Sequence, residues 1–175
     1  MSESYKLRQQ LIEIARLDKN KVEQSKNHAP WIEKFWPATN YAEGYKDRAP
    51  YCAAAIAYCV RVWLSDIHVR AALGLQSSEE AERWRCKSAA AFGWLDWAKQ
   101  HNVQLLPKHC ILHTGDLVVY DFSHIEMVTD DDNTPDGPFV AVGFNTNSNA
   151  SRDADGCVEK PRKRDHVKAF IRLLP

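Results

Sequence analysis

Cys52 stands near the start of Pro50-Tyr51-Cys52-Ala53-Ala54-Ala55-Ile56-Ala57-Tyr58-Cys59-Val60-Arg61-Val62-Trp63-Leu64, a run that reads as a buried helix opened by a proline. Proline is favoured at a first helical position because its missing N–H is not needed there. A cysteine in that first turn lies among unpaired N–H groups at the positive end of the helix dipole, which lowers a thiol pKa and favours the thiolate. A thiolate nucleophile needs a base within hydrogen-bond reach, and the base needs a group to orient it. His124, at the start of an extended run, is the candidate base. Asn145, at the end of a neighbouring run, is the candidate third residue, able to fix the tautomer and orientation of the ring. Cys59 reads as a buried structural thiol on the same helix, and His28, His68, His101 and His166 as structural or solvent-facing.

The elements that must position these residues divide between the two halves of the chain. Leu7, Leu11, Ile12, Ile14, Ala15 and Leu17 recur among charges and predict an amphipathic helix over 4–17. Pro30 opens a short helix that Pro37 stops, and 40–47 reads as a loop leading into the Cys52 helix, which is expected to end near Asp66–Val69. Ser77 with Glu79 and Glu80 marks a capped helix start. A further helix is expected from Cys86 to His101. Beyond Asn102 the pattern becomes extended. Runs at Leu117–Tyr120, His124–Thr129, Phe139–Phe144, Gly156–Lys160 and Val167–Leu173 predict strands, separated by the Asp121-Phe122-Ser123 break, the acidic turn 130–138 and the polar stretch 145–156. Helices followed by an antiparallel meander define an α+β class. The 175 residues show no repeat or linker, so 1–175 is expected to form one domain.

Composition narrows the function. The chain is 45% hydrophobic with six Trp, and its 23 basic residues balance 23 acidic ones. That neutrality gives no reason to expect a nucleic-acid partner, and the basic run Lys160–Arg164 reads as a solvated strand or turn. No stretch approaches the roughly 20 apolar residues of a membrane span. Five cysteines without a CxxC pair do not suggest a secreted disulfide framework. The charged amino terminus has no apolar signal core, so cytoplasmic synthesis without a signal peptide is expected. His109, Cys110 and His113 are close in sequence, but no second ligand pair follows at zinc spacing. The acids at 130–133 lack the spacing of a calcium loop. Neither a metal nor another cofactor is expected.

Four stretches together resemble a known family. Pro50-Tyr51-Cys52-Ala53 through Tyr58-Cys59 is similar to the "P-W-C-A-x-F-V-x-W-C" signature of CHAP domains, the cysteine- and histidine-dependent amidohydrolases/peptidases of the NlpC/P60 superfamily. Gly115–Tyr120 resembles its "G-D-I-V-x-F" strand, and Ser123-His124-Ile125-Glu126-Met127-Val128 its "x-H-V-G-I-V" strand. Phe144-Asn145-Thr146-Asn147 with Asp155 to Arg162 resembles its "E-G-N-T... G-x-V-x-x-R-x-R" ending. The resemblance runs from about residue 8 to the end of the chain.

The resemblance implies a papain-like fold, with N-terminal helices packed on a C-terminal antiparallel sheet. It implies Cys52 as nucleophile, His124 as general base, Asn145 as orienting residue and an oxyanion met by the Cys52 N–H. The implied reaction is hydrolysis of a peptidoglycan amide, either the lactyl-alanine bond or a stem-peptide cross-link. Tyr51, in the place of the family's Trp, is the candidate aromatic wall, and with Asp47 and Trp36 completes the candidate substrate-binding set. Two contexts fit the implied activity: a phage lysin, or an antibacterial effector injected into the periplasm and matched by an immunity protein that occludes the Cys52 cleft. The family often carries Glu two residues before its Asn, and Gly143 stands there instead. A non-catalytic binding domain and a zinc-binding module built on Cys110 and His113 are the alternatives.

Overall fold

The computed structural model describes residues 2–131, 134–146 and 156–175. Asp132 and Asn133 of the acidic turn, and 147–155 of the polar stretch, lie outside these. Helix α1 spans Glu3–Arg16; Ser2 caps it by accepting from the Tyr5 N–H, and Leu7, Leu11, Ile12 and Ala15 form its buried stripe. A 3₁₀ segment, Pro30–Ala38, buries Ile32, Phe35 and Trp36, with Pro37 inside it rather than stopping it. The central helix α2 is Cys52–Trp63. Its alanines at 53, 54, 55 and 57 are fully buried, and their small side chains let neighbouring elements approach the backbone closely. The indole N–H of Trp63 donates to Leu7 O of α1 at 2.7 Å, locking the two helices.

Three shorter helices follow. Helix α3 is Ile67–Ala72, capped by Asp66, so the chain breaks after Trp63 and restarts instead of continuing to Val69. Helix α4 is Ser78–Trp84, capped by Ser77 as its sequence predicts. Helix α5 is Ala91–Gln100. It begins five residues after Cys86 because Ser88 ties the preceding backbone into a turn, its hydroxyl accepting from the Ala90 N–H.

Six strands form one antiparallel sheet: β1 Gln104–Leu106, β2 Leu117–Tyr120, β3 Ile125–Val128, β4 Phe139–Thr146, β5 Gly156–Arg162 and β6 Val167–Arg172. The order is β1-β6-β2-β3-β4-β5. Only β2 to β5 form a meander; β6 returns beside β2 and collects β1, which the sequence left unassigned. A four-residue connection, 163–166, joins β5 to a strand four places away, a span of roughly 19 Å in a flat sheet. The sheet must therefore curl. The guanidinium of Arg164 lies over both Phe139 of β4 and Phe170 of β6, whose rings meet edge to face.

Side chains alternate between the two faces of the sheet. Leu117, Val119, Ile125 and Met127 join the helices in the main core, whereas Val118, Tyr120, Val128 and Phe170 form a smaller core on the opposite face. The α+β class is as the patterning predicts. Among the described residues no helix is long and apolar enough to cross a membrane.

Candidate active site

The structure places the thiol two positions earlier in its helix than expected. Cys52 is itself the first residue of α2, Tyr51 holds the N-cap position before it, and Pro50 lies outside the helix. No side chain caps this end, and the first intrahelical bond comes from the Ala55 N–H to Tyr51 O, so the earlier N–H groups face outward around the thiol. The Cys52 side chain is nearly buried, 3% exposed, at the end of a cavity.

His124 is brought to that point by a tight β2–β3 hairpin. Asp121-Phe122-Ser123 forms the three-residue loop, with Ser123 in the left-handed region at φ 61° and the Tyr120 N–H bonded to His124 O at 2.9 Å. The imidazole is fully buried and stacks on the rings of Tyr120 and Phe122. Its Nε2 lies 3.2 Å from Glu126 Oε1. Its Nδ1 is buried and meets no partner at full hydrogen-bond geometry; the group coupled to the ring on its other side is the Cys52 thiol. A slack contact between nucleophile and base is common before substrate binds.

Glu126 is the residue that spacing alone did not single out. It lies two positions after His124, on the same face of β3, and is wholly buried. Arg162 of β5 grips it from the far side: Nε donates to Oε2 and Nη2 to Oε1, each at 2.8 Å. Tyr120 donates its hydroxyl to Oε2 at 2.9 Å. The carboxylate reaches these partners by crossing over Gly143, its direct neighbour on β4. A Cβ at 143 would lie 2.3 Å from Oε1.

The charges are ordered accordingly. Burial alone would push the Cys52 thiol up, but hydrogen bonding and attraction to His124, with the Ile125 and Ala53 N–H groups, outweigh it and bring the thiol below its ordinary range. Burial would likewise lower the His124 pKa, yet the thiol and Glu126 raise it. Glu126 is held low against burial by His124 and Arg162. Both shifts favour a thiolate–imidazolium pair over the neutral thiol and imidazole. All five cysteines lie among the described residues. Burial pushes Cys59, Cys86, Cys110 and Cys157 up, and Cys52 alone is lowered.

Cys52 opens onto a cavity of about 410 Å³ whose walls include Trp36, Tyr41, Pro50, Ala90 and Ser123; apart from Cys52 itself, none of its described lining residues has an ionisable acid or base that is charged at neutral pH. Trp36, expected to bind substrate, lines this cavity while almost wholly buried, its ring close against Gly44 and edge-on to Tyr41. Asp47 is one step removed, exposed at the rim and accepting from the Tyr41 hydroxyl at 2.6 Å. Tyr51 is not a wall of this cavity. It is fully buried between Trp31 and Phe35, because as the residue before α2 it points back into the core. Asn145 is also buried, at φ 54°, and among the described residues neither end of its side-chain amide has a hydrogen-bond partner. The bond to His124 expected of Asn145 is made by Glu126.

Among the described residues no group of three or more His, Cys, Asp or Glu is assembled to hold a metal ion. Near the proposed zinc ligands, His109 contacts Asp136 instead. No protein-family model, curated protein or solved structure matches the chain.

Proposed function

We propose that this protein is a cysteine amidase or endopeptidase that hydrolyses an amide bond of bacterial peptidoglycan. The observation that carries the chemistry is the Cys52 thiol at the uncapped start of α2, opening onto a cavity, with a buried His124 bonded to Glu126. A cysteine at the start of a buried helix, set against a sheet that carries its histidine, supports the papain-like arrangement implied by the CHAP resemblance. Glu126 takes the place that the resemblance gave to other residues: it stands at the glycine of "x-H-V-G-I-V", and Gly143 stands at the family's frequent Glu.

In this reading the Cys52 thiolate attacks the amide carbonyl carbon. The oxyanion is met by the uncapped N–H groups at the start of α2. His124 passes its proton to the departing amine as the C–N bond breaks, leaving a thioester on Cys52. It then takes a proton from the water that attacks the thioester and keeps it as the C–S bond breaks, so that the carboxylic acid leaves and the thiolate–imidazolium pair is restored. Glu126 holds the ring and stabilises its positive form. The uncharged cavity suits a peptide segment whose polar groups are amides, with Trp36 and Tyr41 as its aromatic side. The cell-wall substrate rests on the resemblance, as do the two contexts of phage lysin and injected effector with an immunity protein.

Digestion of purified peptidoglycan, read by mass spectrometry, tests the proposal. The wild type is expected to release defined fragments and Cys52→Ala none. Equal release by the two, or none by the wild type, contradicts it. The new termini distinguish lactyl-alanine cleavage from cross-link cleavage.

A further inference from the structure

Four ionisable groups follow one another through the buried site: the Cys52 thiol on α2, the His124 imidazole, the Glu126 carboxylate on β3 and the Arg162 guanidinium on β5, which alternate in sign when Cys52 and His124 form an ion pair. Arg162 is itself almost buried, 4% exposed, with two of its donors on the two carboxylate oxygens. The fork of an arginine meeting a carboxylate in this manner fixes both charge and geometry. The other titratable groups near the carboxylate are Tyr120 on β2 and Cys157 on β5. Burial pushes both up, and both are therefore neutral. Gly143, on the strand between, contributes no group.

Charge neutrality decides what Arg162 does. With it, thiolate, imidazolium, carboxylate and guanidinium sum to zero. Without it, a buried site of thiolate, imidazolium and carboxylate would carry a net negative charge, which burial opposes. A proton would return either to the thiol or to Glu126. In the first case the imidazolium serves Glu126 instead of Cys52; in the second it loses the carboxylate that stabilises it. Both outcomes disfavour the thiolate.

We propose that Arg162 is a positioning residue that neutralises Glu126 through its two 2.8 Å contacts, so that the positive charge of His124 is left for Cys52. This rests on the reading of Cys52 as the nucleophile. It assigns to the edge of the sheet, 38 residues beyond His124, control over the ionisation of a thiol that Arg162 does not bond.

The test is the pH dependence of Cys52 alkylation by iodoacetamide, followed by peptide mass spectrometry, which requires no substrate. Folding of each variant is checked by near-ultraviolet circular dichroism. Arg162→Gln is expected to move the inflection upward by about one pH unit or more, a roughly tenfold slower reaction on the acid side. Arg162→Lys, which keeps the charge without the fork, is expected to fold and to shift less. Glu126→Gln leaves Arg162 no carboxylate to neutralise, so adding Arg162→Gln to it is expected to shift the inflection little beyond Glu126→Gln alone. A merely structural role for Arg162 would make the two shifts add. A wild-type inflection in folded Arg162→Gln overturns the proposal; if the glutamine variant does not fold, Arg162→Met is read in its place, and an unshifted inflection there overturns it. An ordinary thiol inflection in the wild type overturns the Cys52–His124 pair and this inference with it. A low wild-type inflection without peptidoglycan cleavage overturns the proposed substrate alone.

Discussion

Gly143 faces Glu126 directly across the β3–β4 pairing, and the carboxylate of Glu126 occupies the space that a side chain at 143 would need. The two positions are complementary: one strand supplies the acid and the other supplies its room. In the pattern the sequence resembles, glycine sits two residues after the histidine and the acid two before the asparagine. Here the pair is exchanged across the ladder, and the carboxylate still reaches His124.

Gly143→Ala is therefore expected to damage the site without touching Cys52 or His124. Its Cβ would press on Oε1, the oxygen shared by His124 and Arg162. Overpacking of this kind costs about 1–3 kcal/mol. Thermal unfolding and turnover of peptidoglycan fragments should both fall. Glu126→Gly with Gly143→Glu moves the acid to the other strand and should recover part of the activity lost in Glu126→Gly; no recovery would mean that the acid acts only from β3.

Glu126 and Asn145 are separated by a paired comparison. Glu126→Gln keeps the shape but removes the charge that stabilises the imidazolium, and turnover is expected to fall by on the order of 10²-fold or more. Asn145→Gly keeps the left-handed backbone that the residue adopts and removes an amide with no bond to His124. It should retain most activity. The reverse ranking in initial rates would restore Asn145 as the third residue.

The pH profile has a definite sign. Activity rises as Cys52 loses its proton, at a pH below the ordinary thiol value of about 8.5, and falls as His124 loses its own, above the ordinary imidazole value of about 6.5. The plateau is thus wider at both ends than free side chains would allow. Acid stability follows a separate group. Hydrogen bonding to Arg16, then to Lys19, holds Glu159 down to about 2 despite its partial burial. Its contribution is present above the unfolded value of about 4.3 and is lost as pH falls toward the folded one. Acid unfolding of Glu159→Gln should lack that component.

Gly44→Ala tests the cavity apart from the chemistry. A Cβ there would meet the Trp36 ring at 2.1 Å, so the ring must move within the wall of the cavity. The expected result is a raised KM for soluble wall fragments with an unchanged rate of Cys52 alkylation. A lowered alkylation rate would show that Trp36 holds the thiol as well as the substrate.

Cys59→Ser asks which thiol reacts. Cys59 is buried and its pKa is raised, so its loss should leave turnover intact. A hydroxyl without a partner at that site costs about 1–3 kcal/mol of stability. A folded but inactive Cys59→Ser would assign the chemistry to the wrong residue.

Much of this arrangement is legible in the chain itself. Proline before an aromatic and a cysteine, followed by alanines, specifies a helix start with small neighbours, and His124 after Asp121-Phe122-Ser123 specifies a hairpin end. Glu126 is harder to read. Within an apolar strand it resembles a solvent-facing alternate, and its burial depends on Arg162, which is distant in sequence and close only because of the sheet order. Its one local signal is the same-face spacing from His124 combined with the glycine at 143. The return of β6 beside β2 has no local signal, since strand pairing depends on how the sheet curls. Tyr51 shows the opposite case: its type suits a binding wall, but its place before α2 turns it into the core.

Site-resolved alkylation of the native protein at pH 6 addresses the account most directly. Limiting iodoacetamide, followed by peptide mass spectrometry of all five cysteines, should label Cys52 first and nearly alone, and His124→Ala should abolish that preference. Labelling spread evenly over the thiols, led by a cysteine other than Cys52, or unchanged in His124→Ala would contradict it.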